Sequence, residues 1–243
     1  MIKFLFIFLF SPFFVYANCI DIDYSIADKV MENSLYNLQG NNKKVKYNIN
    51  KMNDNFYKSY YYGYSYLVGN NVLVDYEKAE ILLIESAKYC FSPAHYSLGF
   101  LYLEKNEVEK AKKWFLSAKN LGDSLGAYQL ALIYRDQNNS NKMLENLEFS
   151  VENDFLPSIT ELGVQYYDGK IIRKDNNKAF HYFQLAANMN DSLAQNNLAW
   201  MYEHGEGVEK NMVKAKYWYK LSLSNGFLLA KENLERLDVL NQN

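Results

Sequence analysis

The chain has 243 residues, nearly half of them apolar, and its 26 basic and 28 acidic side chains leave a net charge of −2. With Lys and Glu interspersed, that balance offers neither a basic face for nucleic acid nor a like-charge tail. Twenty-two tyrosines and 15 phenylalanines against 11 glycines and 3 prolines favour helices packed through large rings.

In chain order, the first segment stands apart. Lys3 supplies a positive start, Phe4 to Phe10 is unbroken hydrocarbon, and Val15-Tyr16-Ala17 places small residues before Asn18. This predicts a cleavable secretory signal peptide over 1–17, with the periplasm as destination and release to the exterior as an alternative. An uncleaved N-terminal anchor is the competing interpretation. No later stretch is apolar and long enough to span a membrane. Two cysteines follow, Cys19 and Cys90. An even count in an exported chain suggests one disulfide between them, worth up to about 4 kcal/mol by the chain-entropy model. Lipid attachment at Cys19 and two free thiols are the alternatives.

Residues 18–57 read as an N-terminal helical cap or connector. Within them, 25–38 has apolar residues at helical spacing, Ile26, Val30 and Leu35 or Leu38, before Gly40-Asn41-Asn42 breaks the pattern. From residue 58 one phrase recurs: Tyr62-Gly63-x-x-Tyr66, Leu98-Gly99-x-x-Tyr102, Leu130-Ala131-x-x-Tyr134, Leu162-Gly163-x-x-Tyr166 and Leu198-Ala199-x-x-Tyr202. Its spacings of 36, 32, 32 and 36 residues divide the chain into five units, 58–93, 94–125, 126–157, 158–193 and 194–229. A partial sixth unit, or capping helix and tail, occupies 230–243.

Each unit carries a second apolar pattern. Ala79, Ala111, Met143, Ala179 and Ala215 correspond, and each is followed by a pair such as Trp114-Phe115 or Tyr182-Phe183. Apolar residues at i, i+3, i+4 and i+7 predict a helix in each half. Asp75, Asn106, Asn139, Asp175 and Asn211 are expected as N-caps of the second helices. Gly122, Asn190 and Gly226 suit a left-handed stop, Asp154 suits it less, and Cys90 is not expected there. The small residue at 63, 99, 131, 163 and 199 is expected to admit a neighbouring helix, and the Tyr one turn later to fill the space between units.

The pattern resembles the Sel-1-like repeat, a relative of the tetratricopeptide repeat. Residues 194–226, with the Gly205-x-Gly207-Val208 turn and Lys214-Ala215-x-x-Trp218-Tyr219, carry the likeness best. The resemblance implies an all-α fold: a right-handed α-solenoid of five helix–turn–helix repeats with helical caps. Units two and three depart from it by lacking four residues between their helices. The third departs further, with Met143 for Ala and Asn146-Leu147 for the aromatic pair.

No phosphate loop, nucleophile elbow, paired metal-binding histidines or Cys-x-x-Cys is present, and His95, His181 and His204 fall at three different repeat positions. No enzyme activity, cofactor or metal is therefore expected. The resemblance places the first helices on a concave face. Ring-rich third and seventh positions there, with residues of the adjoining turns, give a candidate partner-binding set of Tyr60, Tyr64, Tyr96, Phe100, Tyr128, Tyr167, Trp200, Glu203 and His204. Arg135, Asp136 and Asp168 add an ionic rim. Core packing competes for Tyr96, Tyr128 and Leu132. The expected partner is another protein. By family analogy the sharper expectation is an immunity protein neutralising a toxin delivered to the periplasm, such as a lipase of a secretion system. A secreted factor that meets host proteins is the alternative. A β-lactam-acting member of the family is a weaker one, because the array holds only Cys90.

Overall fold

The computed structural model describes residues 55–240. The expected signal peptide, Cys19 and most of the 18–57 segment lie outside the described residues, as do 241–243. Among the described residues there are only helices: α1 Asn55–Val68, α2 Tyr76–Ala87, α3 Ser92–Glu104, α4 Val108–Asn120, α5 Ser124–Asp136, α6 Ser140–Val151, α7 Leu156–Asp168, α8 Asn176–Asn188, α9 Ser192–His204, α10 Met212–Ser224 and α11 Leu229–Leu240. They form two helix pairs in a first compact unit ending at Gly126, and three pairs with α11 in a second unit from Ala127, α5 beginning in the one and continuing in the other. This is the all-helical, repeated helix–turn–helix fold class that the sequence predicts. The weak third repeat still forms its pair, α5 meeting α6 through Ala131, Met143 and Leu147.

Each pair is closed by the same device. The amide N–H of the residue preceding the second helix donates to the carbonyl of the recurring Tyr: Asp75 to Tyr66 at 3.0 Å, Glu107 to Tyr102 at 2.8 Å, Asn139 to Tyr134 at 2.8 Å, Asp175 to Tyr166 at 2.9 Å and Asn211 to Tyr202 at 2.7 Å. Because the closure sits at the two helix ends, the loop between can be four residues shorter in the second and third pairs without disturbing it. Asp75, Asn139, Asp175 and Asn211 cap their helices with side-chain oxygens as expected. The second pair corrects the expectation. Its cap position is Glu107, which makes no side-chain cap bond, and Asn106 is instead a turn residue at φ +58°. With the loop shortened, Asn106 is the residue that has to reverse the chain, and Asn tolerates the left-handed conformation.

The unit ends supply a second correction. All five, Cys90, Gly122, Asp154, Asn190 and Gly226, have positive φ, so Cys90 (+57°) and Asp154 (+55°) take the left-handed role expected of glycine. The next residue bonds back to the helix, as Phe155 N does to Ser150 O at 3.1 Å and Asp191 N to Ala186 O at 3.1 Å. That satisfies carbonyls left open at a helix end. The repeated closure outweighs the local preference of Cys and Asp.

Packing within a pair depends on the small residue of the phrase. A Cβ at Gly99 would stand 2.5 Å from the Phe115 ring, and one at Gly163 would stand 2.6 Å from the Phe183 ring. The recurring Tyr has two roles. In every pair a Lys of the second helix stands over its ring: Lys78 over Tyr66 (5.3 Å), Lys110 over Tyr102 (5.1 Å), Lys142 over Tyr134 (5.1 Å), Lys178 over Tyr166 (4.8 Å) and Lys214 over Tyr202 (5.0 Å). Between pairs, the Tyr102 hydroxyl donates to Glu80 of α2, and Tyr202 meets Phe180 of α8 edge-on at 5.4 Å.

Candidate protein-docking site

In the first unit, Tyr60 and Tyr64 lie one turn apart on α1 and stack at 6.0 Å. Tyr60 is only 4% exposed. It packs edge-on against Phe91 at 5.0 Å, and burial pushes its hydroxyl pKa well up despite a hydrogen bond with Ser97. Tyr60 is therefore a core residue and not a docking ring, which corrects the sequence-based expectation. Tyr64 is half-buried, Tyr96 leans on Phe115 at 5.8 Å, and Phe100 is exposed.

In the second unit, Tyr128 is half-buried against Phe155 at 5.6 Å, and burial followed by the Glu161 charge raises its pKa. The residues of α7 and α9 converge further. Val164, Tyr167 and Asp168 of α7, Phe183 of α8, and Asn196, Asn197 and Trp200 of α9 line a cleft of about 390 Å³. Phe183 is its buried floor. Burial, with the neighbouring Glu206 carboxylate, pushes the Tyr167 pKa up to about 12. Tyr167 is thus a neutral wall, its ring 6.4 Å from that of Phe183. The Trp200 ring stacks on His204 at 3.9 Å, and the Arg236 guanidinium stands 5.5 Å from its centre. Asn196 accepts a hydrogen bond from Asn233 at 2.9 Å. An apolar floor, ring walls and a few amides suit an interface anchor.

Glu203 corrects a second expectation. It is 4% exposed and holds Arg236, with the Tyr219 hydroxyl donating to it at 3.0 Å. Burial alone would raise its pKa, but the bonds from Arg236 and Tyr219 more than offset this and hold the carboxyl below its ordinary value. Glu203 fastens α11 to α9 and is not available to a partner. The expected rim forms a recess of about 370 Å³ beside the cleft, where Arg135 pairs with Glu161 at 3.0 Å and Asp136 at 3.1 Å, and Asp168 meets Lys170 at 3.1 Å. Sequence reasoning missed Phe183 and Asn197 as cleft residues. The doublet Asn196-Asn197 was visible, but only the first fell on the repeat position used to choose candidates.

The histidines do not converge. His181 and His204 are exposed. His95 is buried between Ser117 Oγ (2.9 Å) and the Ala87 carbonyl (3.0 Å), so neither ring nitrogen is left to act as a base. Among the described residues no three His, Cys, Asp or Glu side chains could hold a metal, and no helix is long and apolar enough to cross a membrane.

The Sel1 repeat model matches residues 59–88, 92–123, 157–191 and 192–227, together more than half of the chain. The third helix pair falls between matches, where Met143 and Asn146-Leu147 replace the usual residues. A sel1-like repeat-containing protein of Acanthamoeba polyphaga mimivirus is 27% identical over 59% of this chain and 27% of its own length. A chitin synthase regulator of Saccharomyces cerevisiae is 31% identical over 54% of this chain and 20% of its own. The aligned part is thus about a quarter and a fifth of these relatives' lengths. Among solved structures, a Sel1 repeat protein from Oxalobacter formigenes superposes with a TM-score of 0.67 at 22% identity, covering 85% of this chain and 86% of that one. A protective antigen of uropathogenic Escherichia coli with an SLR fold gives 0.66 at 24% identity, covering 74% and 40%. These likenesses show the fold. Sel1-repeat proteins are generally protein-interaction modules. With four matched repeats and the fold in agreement, the chain belongs to the Sel1 repeat family.

Proposed function

We propose that the chain is a non-enzymatic module that binds another protein on its first-helix faces, with the Trp200–Tyr167 cleft of the second unit as the principal anchor site and Tyr64 and Phe100 as contacts on the first unit. The observation that carries this is the cleft itself: its Trp200 ring is stacked on His204 and its Tyr167 ring packs on Phe183, while its interior of apolar and amide groups is left for an incoming side chain. Capture of a partner by immobilised protein tests it. Trp200→Ala and Tyr64→Ala are expected to weaken capture about tenfold or more, as truncated interface rings do, while the helical signal is kept. Undiminished capture by both would overturn the reading.

The sharper form is an immunity protein that blocks a toxin delivered to the periplasm. The signal-peptide pattern of 1–17 and the family resemblance support it. It requires the captured partner to be a toxic enzyme that is silenced in a stoichiometric complex, and a partner without such activity would refute it. Export also carries the Cys19–Cys90 disulfide. Cys90 is buried and no cysteine is free among the described residues. Both thiols are expected to resist alkylation in the exported protein until a reductant is added, and labelling without reductant would contradict the pairing.

A further inference from the structure

The first helix pair exposes a face that its counterparts bury. The phrase position held by Tyr62 is Leu98, Leu130, Leu162 or Leu198 elsewhere; those four leucines are 0–2% exposed and Tyr62 is 37% exposed. Leu162 shares a core cluster with Met143 and Leu147 of the preceding α6, and Leu198 shares one with Phe183 and Ala186 of the preceding α8. The position therefore faces the preceding repeat.

The inter-helix loop repeats the contrast. Three residues before the cap stand Val72, Ile172 and Val208. Ile171 and Ile172 pack on the cluster built from Ala131, Met143 and Leu147, and Val208 packs on that of Phe183 and Ala186. The turn of the fifth repeat lies so close to the start of α8 that a Cβ at Gly207 would come within 2.2 Å of the Asn176 carbonyl oxygen. In the first pair, Val72, Leu73 and Val74 are exposed, Leu73 to 91%. A loop built to lie on a preceding repeat has none among the described residues, and apolar surface of this kind marks an interaction site.

We propose that residues 25–38 of this same chain cover that face, with Tyr62, Val72 and Leu73 receiving the apolar positions Ile26, Val30 and Leu35 or Leu38 in place of a preceding repeat. The lengths agree. Phe56 stacks on Tyr89 at 5.1 Å, so α1 starts beside the end of α2, next to Cys90. The Cys19–Cys90 pairing proposed above would bring the segment in at that same end. Fourteen residues in a helix would reach about 21 Å, more than the roughly 18 Å of α2 and enough to meet the loop carrying Val72 and Leu73. The 16 residues from 39 to 54 extend to about 50 Å, ample to return to Asn55.

Hydrogen exchange followed by mass spectrometry on the full chain tests this. In the wild-type protein, amides of 25–38 should be protected. Val72→Asp/Leu73→Asp should speed their exchange about tenfold or more and leave α8 to α10 unchanged. Val30→Asp, at the other side of the contact, should speed exchange across 68–76. The substituted residues are solvent-exposed or outside the repeats, so the fold is retained in both variants. Unprotected 25–38 in the wild type, or protection that neither variant changes, overturns the proposal. So does a wild-type dimer that the loop variant dissociates, because a second copy would then be the occupant. Any of these leaves the docking cleft of the second unit as it stands, and loss of partner capture at that cleft would leave this proposal intact.

Discussion

Lowering the pH from 6.5 to 4 is expected to remove about 3 kcal/mol of stability through one side chain, His95. Its imidazole is buried, and burial depresses its pKa from 6.5 to about 4, opposed only in part by the bond to Ala87 O and the charge of Asp123. A depressed pKa means that the fold holds the neutral ring. Above pH 6.5 both folded and unfolded chains are neutral there, and the contribution is complete. Below it the unfolded chain takes up a proton that the folded chain refuses until about pH 4. A difference of roughly 2.5 pH units corresponds to about 3 kcal/mol. The repeat provides the control. At the equivalent place of the fifth repeat, Gln195 donates to the Ala187 carbonyl at 3.1 Å, eight residues back, as His95 bonds to Ala87. His95→Gln should therefore keep most of its stability at pH 7.5 and lose much less between pH 6.5 and 4. Glu80 and Glu203, held below their ordinary values by Lys105 and Tyr102 and by Arg236 and Tyr219, lose their contributions at lower pH in both proteins, so they cancel in the comparison. Urea unfolding at a series of pH values measures it. Equal slopes for parent and variant would contradict the assignment.

Arg236→Met should cost about 2–3 kcal/mol, below the 3–5 kcal/mol of a fully buried pair because the Arg236 side chain is partly solvated. The change leaves the Glu203 carboxylate 4% exposed with Tyr219 as its remaining partner. Adding Glu203→Gln removes the stranded charge and should recover most of the loss. Thermal unfolding of the two single variants and the double variant checks this. A double variant as unstable as the sum of the singles would show that the ion pair is not what holds α11.

Much of this was legible because a repeat states each rule five times. The Gly99 and Gly163 contacts, the caps at Asp75, Asn139, Asp175 and Asn211, and the tyrosines between pairs could all be read from spacing. The lysines over those tyrosines were equally regular, at 78, 110, 142, 178 and 214, but were overlooked because a Lys at helical spacing reads as ordinary solvated surface. Asn106 was misplaced by one residue because a cap was sought among short oxygen-bearing side chains, while in the equally short second and third loops the cap position is the residue after the left-handed Asn, which is Glu107 in one and Asn139 in the other. Cys90 and Asp154 went against local preference because the closing geometry of the unit overrides it. The docking face was legible only as positions. Period assigns Tyr60 and Tyr64 to one stripe, but whether a ring on that stripe is sealed by a neighbour such as Phe91 depends on packing that the period does not encode. Glu203 likewise falls at the end of a first helix, in the last turn of α9, yet it is buried by a helix whose last repeat is incomplete.

The central claim, that this repeat array docks a protein through the cleft of its second unit, is tested most directly by filling the cleft. Asn197 is half-buried in the lining of the cleft. Asn197→Arg should leave the melting temperature close to the parent's and reduce partner binding at least tenfold, as a charge set in the centre of an interface does. Titration calorimetry of the captured partner against parent and variant measures it. Parent-like affinity in a correctly folded Asn197→Arg protein would contradict the account.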